Sequence, residues 1–326
     1  MTKFVADQNS ISFLYESGTY GTVSGTRQWI GEVQDVTPDD NTNIFAVRYQ
    51  GAADRDVSQF VDGPEDHTLS LNYYPQDWKM MAFALGSNVD GGTTPKTHTM
   101  TEINNDQGNG FISGTDVTLP SFTIEACQKA STGLNFIRTL NGCVVNSLTL
   151  NASQGEILTC DLNLIGQTNT FSSGAISYAT EAGSRPFLWK DVLLHLPSGT
   201  VVSNLNSVTF SLDNGLVAPH YLNGSAQVAV PTGQNREYEL GVTVDANTTW
   251  TKSFYDQYFL GGSTFNALLV ISHNATREAF ITMSGCKVMK MDAPQGIEGT
   301  NAQTITIKPR KVNMLAEDGI TSYNPW

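Results

Sequence analysis

Apolar and polar residues alternate along Phe136–Gly166, on both sides of an Asn-, Ser- and Gly-containing turn at Asn151–Glu156. The apolar residues on even positions are Val144, Leu148, Leu150, Leu158, Cys160, Leu162 and Leu164. The polar residues on odd positions are Ser147, Thr149, Asn151, Thr159, Asp161 and Asn163. A period of two over this length predicts a half-buried antiparallel hairpin. Its polar face has no Lys or Arg, and it is either an ordinary solvent face or the wall of a water-filled passage.

The same pattern recurs, less sharply, in Phe280–Pro309. Three dipeptides of the first copy have counterparts in the second, and both copies then run into a strand. The matched pairs are Phe136-Ile137 with Phe280-Ile281, Gly142-Cys143 with Gly285-Cys286, and Gln154-Gly155 with Gln295-Gly296. No catalytic motif repeats with them. The repeat therefore indicates a duplicated piece of architecture.

Two short helices are predicted, at Pro75–Leu85 and Asn247–Leu260. Each follows an alternating strand, opens on a Trp and ends on Leu-Gly, and Gly after the last apolar residue is a common helix stop. The apolar residues of each helix share one face. Such a stripe is more typical of a core than of a cofactor site, so we interpret both as core helices.

These elements predict a mainly β chain with two short helices, in which strand, helix, strand and Gly-Cys hairpin occur twice. The expected organisation is an N-terminal arm (1–28), a first domain (29–170), a linker (171–186), a second domain (187–316) and a C-terminal tail (317–326). The first domain carries an insertion at 88–118, rich in Gly, Thr and Asn, which we expect to be a long loop.

Composition narrows the function classes. The formal net charge is −13 and only 15% of residues are charged. The densest basic cluster is Lys308, Arg310 and Lys311, which argues against stable binding to nucleic-acid phosphates. It leaves open an acidic surface along which DNA slides. No apolar run approaches the ~20 residues of a membrane span, so no membrane insertion is expected. The four cysteines lack metal-site spacing and are expected to be buried thiols.

Catalytic chemistry finds no support in the sequence. It contains no P-loop, no dinucleotide-binding glycine motif after a strand, no HExxH and no GxSxG. The five histidines are scattered, with no pair at ligand spacing. We therefore predict no catalytic, cofactor-binding or metal-binding residues, no cofactor and no enzymatic activity.

The hairpin pattern G-C-x-V-x-S-L-x-L-x-x-x-x-G-E-I-L in Phe136–Gly166, with the element order before it, resembles major tail tube proteins of long-tailed, siphovirus-like bacterial or archaeal viruses, in a duplicated-domain form. The second hairpin and the strand-then-helix elements match more loosely. The resemblance implies two tandem tail-tube-like β-sandwich or half-barrel domains, each flanked by one helix. It also implies a structural virion protein, made in the host cytoplasm, whose stacked rings conduct the genome during ejection.

The resemblance also implies roles for particular residues. The polar face of the hairpin would line the lumen, where DNA passes only transiently. The insertion would be an inter-ring loop, with Asn88, Asp90, Thr99, Glu102, Asn105 and Asp106 as candidates. Duplication implies a homotrimeric, pseudo-hexameric ring, whereas a homohexamer is expected if only one half forms the wall. Other partners would be the tape measure and the tail terminator or distal tail proteins.

Two alternatives remain at this point. One is another tail ring component, either a tube terminator or a distal tail protein. The other is a carbohydrate-binding β-sandwich module, in which exposed aromatic residues would stack on sugars.

Overall fold

The computed structural model describes residues 4–16, 20–48, 56–103, 118–131, 134–180, 184–222, 225–245, 252–292 and 302–323. The strands are β1 (Phe4–Glu16), β2 (Val23–Gln28), β3 (Glu32–Val47), β4 (Gln59–Tyr74), β5 (Gly86–Gly91), β6 (Lys96–Glu102), β7 (Phe122–Ala130), β8 (Phe136–Ser153), β9 (Thr159–Gly166), β10 (Thr168–Ser172), β11 (Val192–His195), β12 (Leu205–Asp213), β13 (Leu216–Val217), β14 (Thr232–Gly233), β15 (Glu237–Asp245), β16 (Phe265–Asn274), β17 (Arg277–Asp292), β18 (Ala302–Lys308) and β19 (Lys311–Asp318). The helical elements are α1 (Lys79–Leu85), a 3-10 turn (Trp189–Asp191) and a π-helix (Tyr255–Leu260). The predicted mainly β fold is confirmed.

An antiparallel sheet of eight strands, here called the central sheet, runs through both halves of the chain. Its order is β3-β4-β9-β8-β12-β15-β18-β17. The first flanking sheet contains β2-β1-β7-β8-β10. The second contains β11-β16-β17-β19-β6-β5. Strands β8 and β17 each belong to two sheets, because their first parts pair in a flanking sheet and their last parts in the central one.

The repeated Gly-Cys dipeptide marks the place where these two strands change sheets. Gly142 in β8 has φ +65° and Gly285 in β17 has φ +61°, a left-handed conformation that favours glycine. A Cβ at Gly142 would lie 2.8 Å from Cβ of Gln167. The thiols of Cys143 and Cys286 each contact the carbonyl oxygen three residues earlier, at 3.2 and 3.5 Å. The motif therefore shapes the strand.

The strand pairing has the same irregularities in both halves. A register shift interrupts β3–β4 near its start, and another interrupts β12–β15 in the same place. A further shift interrupts β8–β9 immediately after the sheet change, and again β17–β18. The shifts lie between Val33 and Asp35, Leu205 and Ser207, Val145 and Ser147, and Val288 and Lys290. The longer β3–β4 pair has one further shift, between Thr42 and Ile44; up to that point the two halves of the central sheet correspond position by position.

Helix α1 begins at Lys79, four residues after the predicted start, and ends at Leu85 as expected. Gly86 follows with φ +98° and donates its N–H to the carbonyl of Ala82. All seven helical residues are buried, so the core interpretation is confirmed. For the second predicted helix, the described part begins at residue 252 and ends in the π-helix; residues 247–251 lie outside the described residues.

The predicted N-terminal arm is wrong for the described residues. Strands β1 and β2 pair in the first flanking sheet, and Phe13 is fully buried. The carboxylate of Glu16 accepts hydrogen bonds from Thr123 Oγ1 at 2.7 Å and from the Gly142 N–H at 2.7 Å. Polar residues in this segment are therefore buried with hydrogen-bond partners. Because they are not apolar, the sequence shows no alternation that would predict the strands.

The predicted exposed tail is also wrong up to Tyr323. Residues 317 and 318 belong to β19, and the Tyr323 side chain is fully buried. Its hydroxyl donates to a carboxylate oxygen of Asp318 at 2.5 Å and accepts from the Trp78 N–H at 3.1 Å. Residues 324–326 lie outside the described part of the chain.

The predicted insertion loop is partly a hairpin. Strands β5 and β6 pair with each other, and β6 pairs with β19, so a segment of the first half extends the sheet of the second half. His98 is fully buried, with Nδ1 2.6 Å from Asp90 and Nε2 3.1 Å from Asp318. Candidates Asn88, Asp90, Thr99 and Glu102 lie in this hairpin, whereas Asn105 and Asp106 lie outside the described residues.

Candidate functional site

The six polar residues predicted for one hairpin face lie together in the central sheet. Directly paired residues point to the same side of a sheet, and the pairs Ser147–Asn163, Thr149–Asp161 and Asn151–Thr159 place all six on one side. The intervening residues of β8 and β9 point to the other side and are buried. These are Leu148, Leu150, Cys160, Leu162 and Leu164. The predicted hairpin, including its two faces, is confirmed.

Hydrogen bonds join these polar side chains across neighbouring strands. Asp161 accepts from Nδ2 of Asn151 at 2.9 Å and from Nδ2 of Asn72, on β4, at 2.6 Å. Asn163 accepts from the Ser70 hydroxyl, also on β4, at 2.7 Å. These hydrogen bonds between amides, hydroxyls and the Asp161 carboxylate hold the side chains of the face in place.

The polar face continues over the second half of the central sheet. Residues on the same side of β12, β15 and β18 are hydroxyl-bearing or charged, apart from Gly241 and Ala302. They include Ser207, Thr209, Ser211, Thr243, Thr304 and Thr306. The alternate positions Val208, Phe210, Leu212, Val242, Ile305 and Ile307 are buried. These polar positions were not predicted from the sequence, although the alternation in Asn206–Leu212 carries the signal. We call the whole surface the polar face.

Carboxylates outnumber amines on the polar face. The acidic residues include Asp35, Asp39, Asp66, Asp161, Asp213, Glu237, Glu239, Asp245 and Asp292, and the basic residues include Lys287, Lys290 and Lys308. The Lys308 ammonium lies 2.7 Å from Glu237, and this hydrogen bond lowers the pKa of that carboxyl. The described part of the face is therefore weakly acidic, with its lysines towards the β17 side.

Among the described residues, the two outermost strands of the central sheet lack a second neighbour. Strand β3 pairs only with β4, and residues 287–292 of β17 pair only with β18. Residues 37–46 of β3 are all exposed. At the middle of the sheet, by contrast, β8 pairs with β12 over seven residues and joins the two halves. Open strand edges expose unpaired backbone groups and favour pairing with another chain.

A groove runs along the start of the open β3 edge. It has a volume of about 860 Å³ and is lined by the β3 residues Glu32 to Val36 and Pro38. Its other lining residues include Trp29, Phe136, Arg138 and Tyr178. Mixed aromatic and polar side chains beside a strand with one described neighbour are suited to holding further polypeptide.

Metal-binding clusters, reactive thiols and membrane-spanning helices were not expected from the sequence, and the described residues bear on each of them. There, no cluster of three His, Cys, Asp or Glu could hold a metal ion. The four thiols are free and buried, which confirms their prediction, and burial raises the pKa of Cys127 to about 11. A thiol with a raised pKa is a poor nucleophile at neutral pH. Nor does any described helix combine the length and apolarity that crossing a bilayer would need.

Comparison with known proteins gives one match over most of the chain. A sequence model of the family described as phage tail tube protein matches residues 8–309. No curated protein matches. Among solved structures, one similar chain comes from the tail of an empty GTA particle refined helically with C6 symmetry. It is 14% identical, with a TM-score of 0.29, over 37% of this chain and 91% of that one.

Proposed function

Because the chain belongs to the phage tail tube protein family, we propose that the polar face of its central sheet lines the channel of the tube. The protein is a structural component of the virion tail, and its family is not a class of enzymes. What supports the proposal for the channel is the polar face itself: eight adjacent strands present hydroxyls, amides and a small excess of carboxylates on one side, with a core on the other.

This surface suits the passage of a genome. Phosphates are repelled by a weakly acidic wall, and neutral hydroxyls and amides give them no cation to bind. The hydrogen bonds of Asp161 to Asn72 and Asn151 hold the carboxylate in place on the wall. DNA would therefore slide through the channel during ejection without being retained.

The ring is a homotrimer with pseudo-sixfold symmetry. The strand order β3-β4-β9-β8 of the first half is repeated as β12-β15-β18-β17 in the second, with the same register shifts. This correspondence supports a duplicated domain, so three chains would supply six equivalent wall segments. If only one half lined the channel, six chains would be needed, and the other half would lie outside.

Rings stack into the tube and meet the tape measure inside and the terminator and distal tail proteins at its ends. The inter-ring role assigned to residues 88–118 remains a proposal for Asn105 and Asp106, which lie outside the described residues, and for Asp90, Thr99 and Glu102. Of these last three, Thr99 is exposed and the other two are half-buried. Asn88 is buried against its own sheet, so we remove it from the set of contact residues.

Electron microscopy of the purified protein across a concentration series tests this function. We expect rings that grow into tubes with a central channel, and three chains for each ring by mass and image symmetry. Six chains for each ring would overturn the trimer but keep the tube. Growth that stops at a single ring would indicate a terminator, and monomers at every concentration would contradict a tube protein.

A further inference from the structure

The β8–β12 junction provides a template for contacts between copies of the chain. We propose that β17 of one chain pairs antiparallel with β3 of a second copy, in the register that β8 and β12 use within one chain. The proposal rests on the ring described above and adds the strands, the register and the contacting residues. Three features of the chain support it: equivalent strands in the two halves, a register that can be transferred between them, and complementary charges at the two edges.

The register shifts identify equivalent positions on the strands. Ser147 is the first paired residue after the shift in β8, and Lys290 is the first after the shift in β17. In the same way, Ser207 follows the shift in β12 and Asp35 follows the shift in β3. Residues can therefore be transferred from the closed junction to the open edges by counting from these shifts.

The transferred register pairs specific residues. At the closed junction Ser147 lies opposite Asp213, six residues beyond Ser207. The residue six positions beyond Asp35 is Asn41, so Lys290 is placed opposite Asn41 of the second copy. Continuing by two residues, Thr149 opposite Ser211 becomes Asp292 opposite Asp39. These four side chains belong to the polar face, so the face stays continuous across the junction between copies.

Charge at the two edges is complementary around Lys290. Its ammonium already lies 2.5 Å from Asp292 in the same chain. In the proposed register it is also the diagonal neighbour of Asp39 in the second copy, within reach of a long side chain. Lys290 would thus lie between two carboxylates that otherwise repel each other across the strands. The lysine makes this register favourable and gives it a specific sensitivity to charge.

The burial of equivalent residues in β12 and β3 supports a second copy of the chain as the neighbour of β3. In β12, where β8 is the neighbour, Val208 is only 3% exposed and Phe210 only 1%. Their counterparts in β3 are Val36, which is half-buried, and Pro38, which is exposed. Both counterparts line the groove along β3. A second copy that continued the sheet past Asp292, with positions outside the described residues, would cover Val36 as β8 covers Val208. Pro38 has no N–H, so the pair equivalent to Leu150–Phe210 would lack one ladder hydrogen bond.

Cysteine cross-linking tests the register. The Asn214 N–H donates to the carbonyl of Asn146 at 2.8 Å, which makes Ser147–Asp213 a non-hydrogen-bonded pair. Side chains approach most closely in such pairs, and Thr149–Ser211, two residues further along, is another such pair. The equivalent double variant Asp292→Cys/Asp39→Cys keeps Lys290 and is suited to a disulfide. After oxidation of assembled protein, we expect cross-linked species up to three chains on a non-reducing gel, with the largest forming a closed covalent ring.

Two double variants serve as controls. Asp292→Cys/Pro38→Cys moves one thiol to the opposite side of β3 and should form at least tenfold less cross-linked product. Thr149→Cys/Ser211→Cys should cross-link within one chain and run as a monomer. Efficient cross-linking by Asp39→Cys alone would show that β3 pairs with another β3, and it would overturn the proposal.

A charge reversal provides a second measurement that does not depend on oxidation. Lys290→Glu places three carboxylates together and should prevent ring formation, whereas Lys290→Glu/Asp39→Lys should restore it. If wild-type rings form but neither the cross-link nor the rescue is seen, this register is wrong and the proposed function stands. If no wild-type rings form, the proposed function itself fails.

Discussion

Strands β12 and β3 hold equivalent places in the two halves of the central sheet, yet one is enclosed and the other is open. Strand β12 lies between β8 and β15, and its alternate side chains Val208, Phe210 and Leu212 are buried. Strand β3 pairs only with β4 among the described residues, and most of its residues are exposed. The difference is the presence of a neighbouring strand.

Strand pairing within each half does not depend on a neighbouring strand, whereas burial of the outer strand does. Both halves form the same hairpins with the same register shifts, so local pairing does not need the neighbour. Burial of the outer strand does need it. Among its described residues the chain therefore contains one complete junction and two edges of the same kind that lack a second neighbour. Variants at equivalent positions can measure each state.

The largest effect on stability is expected at the Gly-Cys motif, where β8 and β17 pass from a flanking sheet into the central sheet. Gly142→Ala in β8 should lower the free energy of unfolding by roughly 2–4 kcal/mol, since it combines left-handed strain with overpacking. Gly285→Ala in β17 should cost roughly 1–2 kcal/mol, because its nearest contact is a side-chain atom of Arg310 at 3.3 Å. Urea unfolding of unassembled protein measures both values.

Gly174→Ala is the matched control for these variants. Gly174 does not have a positive φ, and no atom lies within 4 Å of the position that its Cβ would occupy. We expect a change within about 0.5 kcal/mol. Equal losses at all three glycines would show that the bend at the Gly-Cys motif is not what stabilises these strands.

An intermediate effect is expected from one substitution made on both outer strands. Val208→Ala removes two buried methyl groups at the closed junction and should cost roughly 2–3 kcal/mol in unassembled protein, cavity included. Val36→Ala is the same change at the open edge and should cost under about 1 kcal/mol there. Urea unfolding of both variants below the concentration at which rings form measures the difference.

Ring assembly should increase the loss of stability caused by Val36→Ala and leave the loss caused by Val208→Ala unchanged. If a second copy covers β3, Val36→Ala should destabilise assembled rings more than it destabilises the free chain, while the loss at Val208 stays the same. Dilution of preformed rings, followed by light scattering, measures the first quantity. A Val36→Ala variant with rings as stable as the wild type would mean that this residue stays open in the tube.

The sequence was informative where one face of a strand is apolar. Alternation in Phe136–Gly166 predicted β8, β9 and the polar face, and the Leu-Gly ending predicted the end of α1. Alternation reports burial, however, and does not identify the neighbouring strand. The pairing of β8 with β12 and the passage of β8 between two sheets therefore had no signal in the sequence.

The sequence was least informative where polar residues are buried or where a strand has no cover. His98 and Tyr323 are fully buried because carboxylates and backbone groups bond to them, so their segments looked like a loop and a tail. Strand β3 extends to Val47 with almost every residue exposed, and its polar sequence carries no period. In both cases the information lies in contacts between distant segments.

The smallest effect on stability depends on pH and comes from His98, in the β6–β19 pairing, which is the second place where the two halves meet. Burial by itself lowers the pKa of His98, but hydrogen bonds to Asp318 and Asp90 outweigh it and raise that pKa above its usual 6.5. A raised pKa means that the folded state holds the proton more tightly than the unfolded state. The resulting stabilisation is complete below about pH 6.5 and is lost as pH rises through the folded-state pKa.

Unfolding of wild type and of His98→Gln between pH 5.5 and 8.5 isolates this contribution, because subtraction removes every other titrating group. The free-energy difference between them should be largest at the acidic end and should shrink as pH rises. The β6–β19 pairing lies within one chain, so this pH dependence should be equal in free chains and in rings. A difference that grew with pH would mean that the histidine is neutral in this seam and that hydrogen bonding alone joins β6 to β19.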